Sequence, residues 1–376
     1  MPTRQQICGI VSKKLTSAAP LLKRKRAVIG MDGFVDLIID VVDKRAKFSE
    51  YNRVDTIAQM GQKIVAAAGK SANFELVVKK RKLGGNGPIY ADALAIAGMD
   101  IDYIGSLGLP SADPVFADFG KRARLFSICE SGFTDALEFS DGKLMLGKIT
   151  QLSGVNWHSL IKHVGIERFV AMCERADLIA MNNWTMLPEL GDIWKHVLAD
   201  VLPLLTKRDR MIFIDLADPA KRSQDDLLAA LATLSQMQQF ANVTLGLNLQ
   251  ESTLVAQALN VPPASDDPVQ IQKTASAIRE KMAIACVIVH PLGGAGAADA
   301  DGTAWLDGPY VRQPNLSTGA GDNFNAGFCL GRMAGCNLSE SLCCGVSTSG
   351  YYVRNAASPT AIDLAKFVAN LPSPEA

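Results

Sequence analysis

The chain has 376 residues, 48% of them hydrophobic, and its 38 basic and 38 acidic side chains cancel to a formal net charge of zero. Such a composition is globular, with enough apolar material for a large core. Its neutrality excludes a general binder of nucleic acid or anionic membrane, which needs a basic face.

Residues 1–26 lack the continuous apolar region of a signal peptide and read as a short amphipathic helix ahead of the core. Residues 27–376 read as one domain. No apolar run approaches the ~20 residues needed to span a bilayer. Eight cysteines are scattered without a C-x-x-C, and the four histidines match no zinc spacing. Buried thiols in a reducing cytoplasm are therefore expected. The basic runs Lys23–Arg26 and Lys79–Lys82 precede apolar segments and read as solvated element starts.

Ala27 to Gly30 predicts a strand that ends at Met31-Asp32-Gly33, and the apolar run Val35 to Val42 carries Asp36 and Asp40. Residues 43–75 are mixed polar, with a helix-like stretch VDTIAQMGQKIVAAAG. FELVVKKRKLGGNG predicts a strand and a glycine turn. PIYADALAIAGM then predicts a helix, with Pro88 in its first turn and Gly98 at its end. IDYIGSLG is the next strand. From Leu125 to Thr150, short alternating runs and a Ser-Asp-Gly-Lys turn predict hairpins of a small antiparallel sheet.

Strand and helix then alternate. ADLIAMNNW precedes ELGDIWKHVLADVLPLL, RMIFIDLAD precedes QDDLLAALATLSQMQQF, and VTLGLNLQ precedes ESTLVAQAL. ACVIVHPLGG leads into a hairpin, AGAADADGTAWLDG, and three helices close the chain. This alternation predicts an α/β fold with a mainly parallel sheet flanked by helices on both faces. Such sheets bind ligands at the carboxyl ends of their strands.

Candidate site residues cluster at those ends. In LSTGAGDNFNAGF, Gly319, Ala320 and Gly321 run into Asp322 where a helix begins. Free N–H groups at a helix start attract anions, and an acid there is also a good N-cap. The stretch alone fits a cap or a base beside a phosphoryl group equally well. Asn248 and Glu251, three residues apart where a strand meets a helix, suit oxygen coordination of Mg²⁺ or a helix start. Gly84, Gly85 and Asn86 form a turn that a substrate could approach closely. Asp32, with Asp36 four residues on, could accept neighbouring hydroxyls or simply hold a turn. Asp215 and Asp218 mark another strand end. Gly293, Gly294 and Gly296 fit either a hairpin or the floor of a nucleotide site.

Taken in order, these residues resemble the ribokinase-like, or PfkB, carbohydrate kinases, from about Ala27 to about Asn370. STGAGDNFNAGF is similar to that family's signature D-T-x-G-A-G-D-x-F-x-x-G. LGGNGPIYADALAIAG resembles its N-terminal signature, and Asn248-Leu249-Gln250-Glu251 its N-x-x-E. The resemblance implies a central, mainly parallel sheet with a small β lid, from strands at about 33–48, 75–83 and 125–150. It implies Asp322 as catalytic base and Gly319, Ala320 and Gly321 as the anion hole. Asp32, Gly84, Gly85 and Asn86 would contact the sugar. Asn248 and Glu251 would organise Mg²⁺ and the phosphates of ATP, and Gly293, Gly294 and Gly296 would line the nucleotide site. A monovalent cation near the anion hole and a homodimer through the lid are further implications.

Three positions depart from the pattern: Ile89 for a substrate-binding asparagine, Ser317 for a usual aspartate, and Ala220 for a common asparagine. The reading is an ATP- and Mg²⁺-dependent kinase for a small sugar or sugar-like alcohol. A nucleoside kinase and an idle ligand-binding protein on the same fold are the alternatives. A nicotinamide-dependent oxidoreductase is disfavoured, because GGAGAA lacks the G-x-G-x-x-G spacing.

Overall fold

The computed structural model describes residues 2–375. A helix, Arg4–Leu22, starts at Thr3, whose hydroxyl accepts from Gln6 N while the Gln6 side chain accepts from Thr3 N. This reciprocal cap satisfies two of the free N–H groups at the helix start. Strand β1 (Arg26–Met31) turns at Asp32-Gly33 into β2 (Phe34–Lys47), which pairs with β3 (Glu50–Arg53). A helix, Ile57–Ala66, and β4 (Leu76–Gly84) lead into the helix Asn86–Ile96. Strands β5 (Asp100–Gly105), β6 (Arg124–Ser127), β7 (Gly132–Phe139) and β8 (Gly142–Lys148) follow.

After two helices, Trp157–Val164 and Ile166–Arg175, come β9 (Leu178–Met181), β10 (Met211–Asp215), β11 (Asn242–Leu247) and β12 (Cys286–Val289). The hairpin β13 (Gly294–Asp299) and β14 (Gly302–Asp307) precedes the helices Ala320–Met333, Leu338–Asn355 and Ala361–Ala369.

The strands form two sheets. The large one has nine strands in the order β14-β13-β12-β11-β10-β9-β1-β5-β6. Every pair from β12 to β6 is parallel, and β13 and β14 close one edge antiparallel. The small sheet is β3-β2-β7-β8, with β4 on β2.

Alternation along the strands divides the core in two. Val28, Ile212, Ile214, Val243 and Leu245 face one layer of helices, Ala27, Ile29, Phe213 and Ile288 the other. Period-two apolar patterning on both faces is what a doubly covered parallel sheet requires. The helix Arg4–Leu22 belongs to the second layer. Its Val11 and Leu15 are fully buried in the cluster that holds Leu342 and Leu364. Arg4 Nη2 donates to Pro372 O at 2.7 Å, and Lys14 pairs with Glu340 at 2.6 Å.

Several elements differ from the sequence expectation. Arg124–Ser127 pairs parallel with β5 in the large sheet, so the small sheet resumes only at Gly132. The helix expected through Leu205 ends early. Regular helix covers Leu190–His196, followed by a wider turn and a short tight turn at Pro203, which lacks a donor N–H. The helices at 157–175, divided at Gly165, and at Pro268–Met282 carry no expectation. Among the described residues, no helix is long and apolar enough to cross a membrane.

Candidate active site

The parallel strands bring Asp32, Asn183, Asp215, Asn248 and His290 to one edge of the large sheet, each at or just beyond a strand's carboxyl end. The helix Ala320–Met333 starts over that edge. Gly319 caps it with φ 92°, the left-handed region that glycine enters without strain. Ala320 N donates to Ser317 O at 3.1 Å and Asn323 N to Gly319 O at 3.0 Å. The N–H groups of Gly319, Gly321 and Asp322 have no such main-chain partner. The Ala320 N–H thus closes the turn, while those of Gly319, Gly321 and Asp322 stay free to meet an anion.

Asp322 is buried, and the loss of solvation raises its carboxyl well above the ordinary aspartate range. The negative fields of Asp215 and Asp32 add to the rise, and Asn86 opposes it. A carboxylate so placed binds a proton more readily at neutral pH than a solvated one.

Two cavities meet at this helix start. One, of about 320 Å³, is lined by Asp36, Gly85, Asn86, Ile89, Thr134 and Asn183, with Gly319 and Asp322 at its wall. Met145, Gly147, Met186 and Lys221 complete much of the rest. The other, of about 290 Å³, is lined by Ala320 and Gly321 on the far side of the same turn. Its remaining walls are mainly apolar: Leu292, Pro309, Val311, Phe324, Val346 and Val353. His290 stands there with its ring 4.7 Å from that of Phe324. Burial lowers its pKa to about 4, so it is neutral at physiological pH.

The residues expected to hold the acceptor separate into two roles. Asp32 is fully buried and is absent from the cavity wall. Its carboxylate accepts from Asn86 N at 3.0 Å, Gly87 N at 2.8 Å and Asn183 Nδ2 at 2.7 Å. Burial raises its pKa to about 6 despite those donors. Asp32 therefore anchors the start of the helix Asn86–Ile96. Asp36 lines the cavity from β2, with Lys82 opposite on β4. The glycines serve the two acids: a Cβ on Gly84 would overlap the Asp36 carboxylate, and one on Gly85 would lie 2.8 Å from Asp32 Oδ2. Only Gly85 also lines the cavity.

Asn248 and Glu251 form a reciprocal cap. Glu251 N donates to Asn248 Oδ1 at 2.9 Å and Asn248 N to Glu251 Oε2 at 2.8 Å. Asn248 Nδ2 donates to Glu251 Oε1 at 2.7 Å. Each carboxylate oxygen keeps a free lone pair. Burial and the field of Asp215 raise the pKa of Glu251 well above normal. Among the described residues, no group of three or more His, Cys, Asp or Glu could hold a metal unaided. The acid-rich surroundings fit a cation that keeps several waters and is carried largely by substrate phosphates, the usual manner of Mg²⁺.

Gly294 lines the cavity of Ala320 and Gly321, but Gly293 and Gly296 do not. A Cβ on Gly296 would lie 2.7 Å from Ile271 Cγ2, so this glycine lets the helix Pro268–Met282 approach β13. Gly293 O instead accepts from Gly308 N at 2.9 Å, closing the hairpin. Sequence reasoning missed Asn183, Thr134, Lys221 and His290. An asparagine pair at the end of an apolar strand, Asn182-Asn183, was the available signal for the first. The others come together only through tertiary packing.

A large parallel sheet with a small accessory sheet, and a glycine-capped acid between two cavities, define the ribokinase-like carbohydrate kinases. The fold is shared with Escherichia coli phosphofructokinase-2 in complex with substrates and products, at TM-score 0.63 and 16% identity, covering 93% of this chain and 99% of that one. It is also shared with Arabidopsis thaliana ribokinase complexed with ribose and ATP, at TM-score 0.63 and 14% identity, covering 92% and 98%. Thermotoga maritima ribokinase matches at TM-score 0.60 and 14% identity, covering 92% and 99%.

Residues 12–371 match the prokaryotic ketohexokinase family, and the chain belongs to it. A ketohexokinase of Haloferax volcanii is 29% identical over 344 residues, 91% of this chain and 90% of that protein. The chain is accordingly an ATP-dependent sugar kinase.

Proposed function

We propose that the protein phosphorylates a ketohexose with ATP, the sugar in the cavity of Asp36 and Asn86 and the nucleotide in the apolar cavity beyond Gly321. The observation that carries this reading is the single helix start standing between the two cavities. Ala320 and Gly321 line one, and Gly319 and Asp322 the other. A phosphoryl group crossing from one to the other passes the free N–H groups of that turn. The acceptor wall combines hydrogen-bonding groups with apolar Ile89, Met145 and Met186. This suits a polyol with a carbon-rich face. Phe34 is its one aromatic, which disfavours a stacked nucleoside base.

Asp322 takes the proton of the attacking hydroxyl. The hydroxyl oxygen forms a bond to the γ-phosphorus in line, the bond to the β–γ bridging oxygen breaks, and ADP leaves. The N–H groups of Gly319, Gly321 and Asp322 hold the transferring group's oxygens, and little covalent chemistry is left to the protein. Glu251 and Asn248 would hold Mg²⁺ through water, and the ion would supply charge neutralisation on the phosphates. The small sheet, which places Thr134, Met145 and Gly147 on the acceptor, acts as a lid that excludes water. Exposed apolar Val78 and Leu146 on that sheet support pairing of two lids in a homodimer. A monomeric mass in solution refutes that pairing.

The test is ADP release by the purified chain across ketohexoses, aldoses, polyols and nucleosides, each with and without Mg²⁺ and K⁺. A ketohexose should give the highest kcat/KM. A nucleoside in that place, or no release with any acceptor, refutes the reading.

A further inference from the structure

All eight cysteines are buried and free, and the phosphoryl transfer uses none of them. Two of them meet from opposite ends of the chain. Cys8 lies in the second turn of the helix Arg4–Leu22, and Cys343 in the second turn of Leu338–Asn355. Their sulfurs stand 3.8 Å apart, in hydrogen-bond contact, across 335 residues of sequence.

The pair is asymmetric. Cys343 is 0% exposed, whereas Cys8 keeps 5% exposure next to exposed Gly9. The hydrogen bond from Cys343 and the positive charge of Arg4 hold the Cys8 thiol below its ordinary pKa, against the cost of burial. Cys343, engaged in that bond and buried, is raised. The thiolate is the form that attacks an oxidant, and access decides which thiol does so. Cys8 is therefore the attacking sulfur and Cys343 the resolving one. Closing the 3.8 Å contact to a disulfide bond of ~2.05 Å asks each side chain to move by about 1 Å.

We propose that Cys8 and Cys343 form an oxidisable dithiol that a small hydroperoxide converts to a disulfide, fastening the first helix of the chain to one of the last. The Cys8 thiolate attacks the peroxide O–O bond, forming a sulfenic acid and releasing hydroxide. The Cys343 sulfur then attacks the Cys8 sulfur. The S–S bond forms, and the sulfenic oxygen leaves as water with the Cys343 proton. The two thiols lose two electrons, and the peroxide is reduced to hydroxide and water. A dithiol reductant reverses the step by exchange. The bond closes a ring of nearly the whole domain, and a long ring restricts the unfolded chain most. Neither cysteine lines either cavity, so the kinase site keeps its geometry. The Cys336 and Cys344 thiols also interact, but a bridge between them spans only residues 336–344 and joins no distant elements.

The experiment treats the full folded chain, reduced and then freed of reductant, with hydrogen peroxide, and stops the reaction by alkylation. Peptide mapping by mass spectrometry should find Cys8 joined to Cys343, and dithiothreitol should separate them. On non-reducing denaturing gels the oxidised monomer should run faster than the reduced one, because its chain is cyclised. The oxidised protein should melt roughly 5 °C higher. None of these readouts needs turnover, so they stand whichever sugar the kinase accepts.

Cys8→Ser and Cys343→Ser should each abolish the fast-running form and the rise in melting temperature, and Cys336→Ser should keep both. The wild-type map decides the matter even where a variant fails to fold. A map without a Cys8–Cys343 bond overturns the proposal, whether the peroxide leaves both thiols intact, carries Cys8 on to sulfinic acid, or joins Cys336 to Cys344 instead. A fast-running form that persists in Cys8→Ser overturns it too. An oxidised chain that melts no higher than the reduced one removes the fastening role.

Discussion

Replacing Asp322 by Asn should remove turnover and stabilise the fold at the same time. The side chain keeps its shape and can still accept from Asn86, but it can no longer take a proton. Loss of a general base lowers kcat by roughly 10²–10⁴-fold, or about 3–5 kcal/mol of barrier. The N–H groups at Gly319 and Gly321 remain, so KM for ATP should change little. The stability effect follows from burial, which raises the folded-state pKa of Asp322 above its unfolded value. Below the unfolded pKa both states hold the proton and no penalty exists. Above the folded pKa the folded state carries an ionised, poorly solvated carboxylate, and the penalty is complete. Asn never ionises, so its advantage in melting temperature should be small in acid and grow as pH rises. Paired melts of wild type and variant at pH 4, 6 and 8, with kcat at pH 7.5, read both effects. In wild type, the acid limb of kcat/KM should lie above the ordinary aspartate range. Near wild-type turnover by the variant, or a melting advantage that shrinks as pH rises, would refute the reasoning.

Three other substitutions separate the parts of the site. Gly84→Ala drives a methyl into the Asp36 carboxylate, so KM for the acceptor should rise roughly tenfold or more while KM for ATP holds; equal effects on both would remove Asp36 from the acceptor side. Leu292 is 83% exposed at the nucleotide-side cavity, so Leu292→Ser should leave the melting temperature unchanged. It should raise KM for ATP by about three- to tenfold through lost apolar contact, and an unchanged KM would move the base elsewhere. Gly296→Ala crowds Ile271, so denaturant titration should show a loss of about 1–3 kcal/mol with KM for ATP intact. A raised KM would restore that glycine to the nucleotide site.

What could be read from the sequence was local. The turn Gly319–Asp322 and the cap Asn248–Glu251 are each contiguous, and each announces a strand or loop passing into a helix. The division of labour between Asp32 and Asp36 was not local. Which acid lines the cavity depends on how β2 lies against β4, where Asp36 opposes Lys82 and Phe34 opposes Gly84. Asn183 meets Asp32, far away in sequence, only through tertiary packing, its Nδ2 donating to Asp32 Oδ2 at 2.7 Å. Glycine clusters were ambiguous for a related reason. The missing side chain at Gly294 makes room for the Trp305 ring, while the same absence at Gly296 admits a helix, and only the packed neighbours distinguish them. Arg124–Ser127 looked like hairpin because alternation does not say which sheet a strand joins.

The helix Arg4–Leu22 is buried by residues that follow almost the whole of the domain, Leu338–Asn355 and Ala361–Ala369. A ribosome therefore makes this helix early and its covering late. Through most of synthesis the apolar stripe of Ile7, Val11, Leu15 and Leu22 has no native surface to meet, a condition that invites chaperones and premature aggregation. A nascent chain stalled before residue 338 should bind a holdase through that stripe, and the completed chain should release it.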